Sequence, residues 1–164
     1  NTIKEIREKQ NQIITMINAA FDEIVTNIEK QNLNINPYES IYESSYPITN
    51  VTGFKGRKPI AVIIGDNRII TPTWKKVIQS ILQEVVKDQE MKNKLLALSD
   101  KLLGKVRSRL SKNKDIMHAP VEICDGLYIE THYDTETLLK ILMTRILDAV
   151  GYDYSGISVA IRNN

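Results

Sequence analysis

The stretch GRKPIAVIIGDNRIITPTWKKVIQSIL, residues 56–82, carries the clearest secondary-structure signals in the chain. Residues 59–64 are an apolar run rich in β-branched side chains, residues 65–68 are Gly-Asp-Asn-Arg, and residues 69–71 resume the β-branched pattern. Because glycine, aspartate and asparagine tolerate the backbone angles of a tight turn, the stretch predicts two strands joined as a β-hairpin.

A helix is predicted directly after this hairpin. Thr71 has the side chain of an N-cap, and Pro72 fits the first helical position, where its missing N–H is not needed. Trp74 is expected to anchor the apolar face of this helix beneath the hairpin. The apolar residues that share this face are Trp74, Val77, Ile78, Ile81, Leu82 and Val85.

The remaining C-terminal sequence predicts two more helices, a second hairpin and a final strand. Asp88 and Asp134 each precede an amphipathic stretch, so both are predicted as N-caps. Asp125-Gly126 is predicted as the turn of the second hairpin. The helix that follows Asp88 is predicted to carry the apolar residues Met91, Leu95, Leu98, Leu102 and Val106. The helix over 135–150 is predicted to end at Gly151 and to bury Leu138, Ile141, Leu142, Ile146 and Val150. The predicted strands are 121–124 and 127–131 in the hairpin and 157–161 at the end.

The N-terminal sequence predicts one long amphipathic helix. Apolar residues recur every seven residues in three adjacent rows, and Gln10 and Asn27 interrupt two of these rows. Such a helix is about 45 Å long, which is more than a compact domain of roughly 130 residues covers easily. The stripe therefore favours self-association or a partner helix, and folding back over its own domain is the alternative. The residues predicted to mediate oligomerisation are Ile3, Ile6, Ile13, Ile17 and Ile24.

Residues 35–52 are predicted to be a strap or linker, because they have two prolines and no helical period. Tyr38, Tyr42 and Tyr46 are expected to pack this strap on the domain. The chain then divides into a long amphipathic helix over 1–34, the strap, and an α+β domain over 53–164. The predicted fold class is α+β, with a long N-terminal helix followed by a small domain of two β-hairpins, three helices and a C-terminal strand.

Length and composition are those of a soluble globular protein. The chain has 164 residues, of which 42% are hydrophobic and 26% are charged, and it has no apolar run of about 18 residues that could cross a bilayer. Its N-terminal residues show no signal-peptide pattern, so we expect a cytoplasmic protein. One cysteine and two histidines cannot form the usual four-ligand structural zinc site unaided. No metal or cofactor is expected.

Positive charge is concentrated in the first part of the chain. Residues 1–115 carry a net charge of +6, whereas residues 116–164 hold three basic and seven acidic side chains. Clustered lysines and arginines that neutralise phosphates give salt-sensitive, sequence-independent binding of nucleic acid, and a solvated helix face with a charged loop is the alternative. The residues predicted to contact nucleic-acid backbone are Lys92, Lys94, Lys101, Lys105, Arg107, Arg109, Lys112 and Lys114, together with Lys55, Arg57 and Lys58.

No catalytic motif is recognised in the sequence. Gly65 lies between two predicted strands and not at the start of a helix, so its turn is not expected to hold a phosphate. The Gly-x-x-Gly of residues 53–56 resembles an RNA-clamping loop but precedes a strand. His132 and Asp134 could form a metal site or an acid–base pair, but Asp134 is needed as an N-cap. Cys124 is expected to be a buried structural thiol. We therefore expect no enzymatic activity.

Residues 56–82 and the stretch GLYIETHYDTETLLKILMTRILDAVGYDYSGISVAI, residues 126–161, resemble a module of uncharacterised proteins from bacterial phages, mobile elements and restriction-type defence systems. The shared pattern is a strand, a Gly turn, a second strand, Trp-Lys at the start of a helix, and Leu-Tyr-x-Glu-Thr before a terminal helix and strand. The resemblance covers roughly residues 53–162 and carries no assigned active site. It implies DNA or DNA-handling machinery as the partner.

These observations lead to two main hypotheses about function. The first is a non-enzymatic accessory protein that self-associates through its N-terminal helix and binds DNA backbone through a basic helix and loop. The second is a phage-type inhibitor or adaptor that docks on a host defence or DNA-processing protein through the helix or the tyrosine strap. A hydrolase or transferase would rest on His132 and Asp134 alone.

Overall fold

The computed structural model describes residues 2–32, 42–99, 101–102 and 108–163, with side chains described up to residue 27 in the first range. The chain divides into two compact units, Asn1–Tyr38 and Glu39–Asn164. The first unit contains helix α1 (Thr2–Asn32). The predicted long N-terminal helix is therefore confirmed.

The second unit contains two antiparallel sheets. The strands within the described residues are β1 (Glu43–Pro47), β2 (Pro59–Ile64), β3 (Asn67–Ile70), β4 (Leu110–Ser111), β5 (Pro120–Cys124), β6 (Leu127–Glu130) and β7 (Ile157–Arg162). The first sheet has the order β1-β7-β2-β3, and the second has the order β4-β6-β5. Both predicted hairpins are confirmed, since β2 pairs with β3 and β5 pairs with β6.

Strand β7 lies in the middle of the first sheet and pairs with β1 on one side and β2 on the other. Ala160 of β7 lies opposite Ala61 of β2, and both are fully buried. Because side chains alternate along a strand, Glu43 of β1 and Arg68 of β3 lie on the same face as these alanines. Arg68 donates a hydrogen bond to Glu43 at 3.2 Å. This ion pair links the two edge strands across the sheet.

Two helices follow the first hairpin, and one interrupted helix precedes β7. Helix α2 (Trp74–Val85) is followed by α3 (Gln89–Leu98). The C-terminal helix begins as α4 (Thr135–Lys140), continues as a π-helical segment (Ile141–Leu147) and ends as α5 (Asp148–Val150). Asp88 and Asp134 accept hydrogen bonds from backbone N–H groups as N-caps, and Gly151 ends the last helix with a φ of 75°. These predicted boundaries and the α+β fold class are confirmed.

The core of the second unit is built around α2. Its predicted inward residues are fully buried, namely Val77, Ile78, Ile81, Leu82 and Val85. Trp74 is half-buried, and its indole Nε1 donates a hydrogen bond to the backbone oxygen of Arg57 at 2.9 Å. Its ring centroid lies 5.3 Å from that of Phe54. Trp74 therefore fixes the start of α2 against the segment that leads into β2.

Two predicted details of the first hairpin and α2 are wrong. The turn contains only Gly65 and Asp66, because Asn67 already pairs with β2. The N-cap of α2 is Thr73, whose side chain accepts a hydrogen bond from the backbone of Lys76. Thr71 instead donates its backbone N–H to the backbone oxygen of Ile60 at 3.0 Å, so it continues the hairpin, and Pro72 lies before the N-cap and not at the first helical position.

Helix α3 is shorter than predicted. It ends at Leu98, because Ser99 has a φ of −52° and a ψ of 135°, which is outside the helical region. Leu102 therefore lies beyond the helix, where its backbone oxygen accepts a hydrogen bond from Arg109 at 2.7 Å. Val106 lies outside the described residues.

The segment predicted as a strap contains regular structure. Glu43–Pro47 form strand β1, which pairs with β7 in register from Glu43 opposite Arg162 to Pro47 opposite Ser158. Tyr42 and Tyr46 are exposed, and Tyr38 lies outside the described residues. Part of the segment is therefore an edge strand of the first sheet.

Candidate functional site

The cations predicted to bind nucleic acid lie on several elements of the second unit. Lys92 and Lys94 are on α3, and Lys105 and Arg107 lie outside the described residues. The prediction of a continuous basic helix is wrong beyond Leu98, because α3 ends there. The other cations described in this region lie on loops around β4, namely Lys101, Arg109, Lys112 and Lys114.

Three of these cations are exposed in loops, namely Lys101, Lys112 and Lys114. Lys94 is also exposed, and its Nζ lies 3.4 Å from a carboxylate oxygen of Glu90. An exposed ion pair between residues four apart on a helix contributes only about 0.3–0.5 kcal/mol. A phosphate could therefore replace Glu90 as the partner of Lys94 at little cost.

Strand pairing places two of the cations, Lys112 and Arg109, at opposite ends of β4. Lys112 follows β4 toward the β5-β6 turn, and Lys92 is close enough to this end to influence the Cys124 thiol. Arg109 lies at the other end, where its backbone oxygen accepts a hydrogen bond from Glu130 at 2.9 Å. Lys92 and Lys112 therefore lie toward the β5-β6 turn, and Arg109 lies at the far end of β4.

An open cleft of about 430 Å³ lies near Arg109, between the turn Lys55-Gly56 and the first turn of the C-terminal helix. Tyr133 lines this cleft, and the guanidinium carbon of Arg109 lies 5.9 Å from its ring centroid. This distance is within the range of a cation–π interaction. The fold thus brings Lys55 and Arg109, two of the predicted cations, into the neighbourhood of Tyr133.

The charges that line this cleft are balanced. Lys140 forms an ion pair with Glu136 at 3.0 Å. Hydrogen bonds from Thr137 lower the pKa of Asp134, and the nearby positive charge of Lys55 lowers it further. Each cation that lines the cleft therefore has an acidic neighbour, and we do not assign the cleft as a separate phosphate site.

Arg57 and Lys58 both form hydrogen bonds with the backbone of Arg162, at the end of β7. The Nη2 of Arg57 donates a hydrogen bond to the backbone oxygen of Arg162 at 3.2 Å, and the backbone oxygen of Lys58 accepts one from Arg162 at 3.1 Å. The side chain of Lys58 is exposed. Of these two cations, Lys58 is the more available to an external anion.

Glu130, which precedes His132 and Asp134 in the sequence, has a structural role that the sequence analysis did not predict. It is only 1% exposed, and its carboxylate accepts hydrogen bonds from the backbone N–H groups of His118 at 2.9 Å and Ala119 at 2.8 Å. Buried carboxylates need such partners. In the sequence, the sign of this role is a charged residue at the end of an otherwise apolar strand. Glu130 holds the loop before β5 against the end of β6.

Two of the residues weighed for catalysis, Asp134 and Cys124, can be described by their contacts and their burial. Asp134 caps the C-terminal helix by accepting a hydrogen bond from the N–H of Thr137 at 2.7 Å. Cys124 is half-buried, and burial raises the pKa of its thiol, although Lys92 opposes this effect. A thiol with a raised pKa is a weak nucleophile at neutral pH. Within the described residues, no group of three or more His, Cys, Asp or Glu side chains is arranged to hold a metal ion.

The apolar stripe of α1 is exposed to solvent. Along it lies a hollow of about 360 Å³, lined by Ile6, Lys9, Gln10, Ile13 and Ile14. Contiguous apolar surface of this kind marks an interaction site. The large apolar residues of α1 with exposed fractions between 46% and 71% are Ile3, Ile6, Ile13, Ile14, Met16, Ile17, Phe21, Ile24 and Val25.

Comparison of the chain with models of protein families, with curated proteins and with solved structures gives no match. No helix among the described residues is long and apolar enough to cross a membrane. The case for a function therefore depends on the surfaces described above.

Proposed function

We propose that this protein is a cytoplasmic, non-enzymatic accessory protein of a phage or mobile element that assembles through α1 and binds nucleic-acid backbone through cations of its second unit. The observation that carries the proposal is the exposed apolar stripe of α1. Helices in water gain most of their stability by packing an apolar face. A helix with this many exposed apolar side chains therefore needs a partner surface.

The spacing of the stripe suits a second copy of α1 that runs antiparallel to the first. Aligning Ile17 with Ile13 of the second copy also aligns Ile24 with Ile6. Isoleucines then meet isoleucines in both layers, as knobs-into-holes packing requires.

Charge complementarity supports this direction. In the antiparallel alignment, Lys9 faces Glu23 of the second copy, and the symmetry of the pair repeats the contact. In a parallel alignment Lys9 would face Ile14. Because charges that flank the seam set helix orientation, the two Lys9–Glu23 contacts favour the antiparallel arrangement.

The width of the stripe bears on the number of copies. Ile14 and Phe21 lie beside the seam positions and are 46% and 62% exposed. The apolar seam between two helices is narrower than the stripe of α1, whereas a helix in a bundle buries a wider apolar face. We therefore expect an assembly of more than two copies.

Light scattering of the full chain tests the assembly. Replacing Ile13 and Ile17 with aspartate puts two charges into the seam and is expected to give a monomer. The matched control places aspartate at Gln12 and Thr15 on the opposite face, and this variant is expected to assemble like the wild type. A wild-type chain that is monomeric at all concentrations would overturn the proposed assembly.

The proposed contact with nucleic acid is supported by the exposed cations of the loops around β4, namely Lys101, Lys112 and Lys114. Such contacts give dissociation constants on the order of 10⁻⁴–10⁻⁶ M that weaken steeply with salt. Assembly strengthens the overall binding, because once one copy has bound, the contacts made by the other copies become intramolecular.

A salt titration against duplex and single-stranded DNA tests this contact. Replacing Lys101, Lys112 and Lys114 with glutamate is expected to abolish the salt-dependent binding. The control reverses the same number of charges on α2 and after it, at Lys75, Lys76 and Lys87, and is expected to retain binding. Equal binding by both variants would overturn the assignment of the contact to Lys101, Lys112 and Lys114.

A second candidate, an adaptor that docks on a host protein, is favoured by the exposed tyrosines at the start of the second unit. Tyr42 is 74% exposed and Tyr46 is 40% exposed, and tyrosine is enriched at protein interfaces. A pull-down after nuclease treatment that recovers a defined host protein, and loses it when both tyrosines are changed to serine, would support this candidate. Recovery of nucleic acid alone would count against it.

A further inference from the structure

Two imidazole rings meet on the surface of the second unit. The ring centroids of His118 and His132 lie 4.6 Å apart, and the ring planes are inclined at 43°. His118 lies in the loop before β5, His132 follows β6, and both side chains are exposed. The fold thus places two nitrogen ligands from different segments side by side in contact with solvent.

The backbone that carries these rings is held rigidly. Glu130 accepts hydrogen bonds from the N–H groups of His118 and Ala119. The N–H and hydroxyl of Thr131, next to His132, both donate to the backbone oxygen of Ala119, at 3.0 Å and 2.8 Å. These four hydrogen bonds fix the relative positions of the two histidines before any ligand binds.

The separation of the rings fits two imidazoles on one metal ion. Nitrogen–metal distances of about 2.0–2.1 Å, with an angle between roughly 90° and 110° at the ion, place the ring centroids about 4.5–5.2 Å apart. The observed separation of 4.6 Å falls within this range. Because both side chains are exposed, the rings are accessible to an ion from solvent.

We infer that His118 and His132 form a two-imidazole site for a divalent transition-metal ion such as Zn²⁺ or Ni²⁺. Imidazole nitrogen suits these ions, whereas Mg²⁺ and Ca²⁺ prefer oxygen ligands. Glu130 is not needed as a ligand, because its two oxygens hold the backbone of the loop. With two protein ligands, the remaining coordination positions of the ion are open to water or to an added ligand.

Calorimetric titration of the full chain, without any added histidine tag, with Zn²⁺ or Ni²⁺ tests the site. Replacing either His118 or His132 with alanine is expected to weaken binding by about tenfold or more, because each change removes one of two protein ligands. The control is Cys124→Ser, which removes the other soft ligand of the second unit and is expected to leave the affinity unchanged.

Thermal unfolding gives an independent measurement, because an ion that binds only the folded chain raises the melting temperature. This increase is expected in the wild type and in Cys124→Ser, and it is expected to be lost in both histidine variants. Trp74 fluorescence checks that each variant is folded. The inference is overturned if the wild type binds neither ion, or if the histidine variants bind as tightly as the wild type.

Discussion

Glu130 uses both oxygens of a buried carboxylate to hold two consecutive backbone N–H groups, those of His118 and Ala119. In Glu130→Gln, the amide NH₂ would face one of these donors. We therefore expect the free energy of unfolding to fall by about 1–3 kcal/mol. Urea unfolding monitored through Trp74, the only tryptophan in the chain, measures this change.

The matched control for this prediction is Glu136→Gln. Glu136 pairs with Lys140 near the surface of the C-terminal helix, and a pair of this kind contributes at most about 1 kcal/mol. A loss in Glu130→Gln no greater than that in Glu136→Gln would contradict the role assigned to Glu130.

Asp134 makes the stability of the second unit depend on pH. Hydrogen bonds from Thr137 lower the pKa of this carboxyl below its ordinary value of 3.8. Its stabilising effect is therefore complete above that value and is lost as the pH falls through the lower folded value. We expect Asp134→Ala to be less stable than the wild type at neutral pH, with a difference that shrinks in acid.

Asp134→Asn is the control for the pH dependence. Asparagine caps a helix about as well as aspartate but does not titrate in this range, so it should keep the cap and lose its acid sensitivity. Urea unfolding at several pH values between about pH 2.5 and pH 7 measures the effect. A constant difference between Asp134→Ala and the wild type over this range would contradict the prediction.

Single residues were predictable where their partners are close in sequence. Asp88 and Asp134 cap helices through N–H groups two or three residues away, and the sequence contains that signal. Thr71 was assigned wrongly, because the hairpin extends to it through a hydrogen bond with Ile60 on the neighbouring strand, and the helix begins later, after the cap Thr73. Glu130 was missed because its partners lie eleven and twelve residues earlier.

At the scale of elements, the proposed direction of α1 can be tested with single cysteines in a Cys124→Ser background. In the antiparallel alignment Met16 faces Met16 of the second copy, whereas the two Ile24 residues are far apart. We expect Met16→Cys to form an intermolecular disulfide readily and Ile24→Cys to form little. Electrophoresis without reducing agent measures the cross-linked fraction.

A parallel arrangement would reverse this result, because Ile24 would then face Ile24 across the seam. Cross-linking of Ile24→Cys in preference to Met16→Cys would therefore contradict the antiparallel arrangement without contradicting assembly itself. Failure of both variants to cross-link, together with a monomeric mass, would contradict assembly.

The C-terminal helix shows how far periodicity can predict an element. A period of 3.6 residues selects Leu138, Ile141, Leu142, Ile146 and Val150, and all five are buried. Leu147 is buried as well, although a regular α-helix would place it about 60° beyond the edge of this stripe. The π-helical segment Ile141–Leu147 has more residues in each turn, so it widens the buried face beyond the predicted stripe.

At the scale of the whole molecule, the second unit is expected to fold without α1. Its core is formed by residues between Ile48 and Ile161. A variant that lacks residues 1–38 should therefore unfold cooperatively in urea, with a Trp74 signal like that of the full chain, and should be monomeric. Loss of the cooperative transition would contradict this prediction.

The candidate surfaces were predictable to different degrees for a physical reason. The stripe of α1 follows from the sequence alone, because a single helix determines which of its side chains share a face. The approach of Lys55 and Arg109 to Tyr133 does not follow in this way, because these residues come from distant segments of the chain. The meeting of His118 with His132 likewise depends on contacts between β5, β6 and the loop that precedes them.

The position of β7 has a consequence for synthesis on the ribosome. Strand β7 separates β1 from β2 in the first sheet, yet it is the last of the described strands to be translated. A nascent chain that has exposed β1, β2 and β3 can form the hairpin, but β1 then has no neighbour to pair with. Closure of the first sheet must therefore wait until Arg162 has left the exit tunnel.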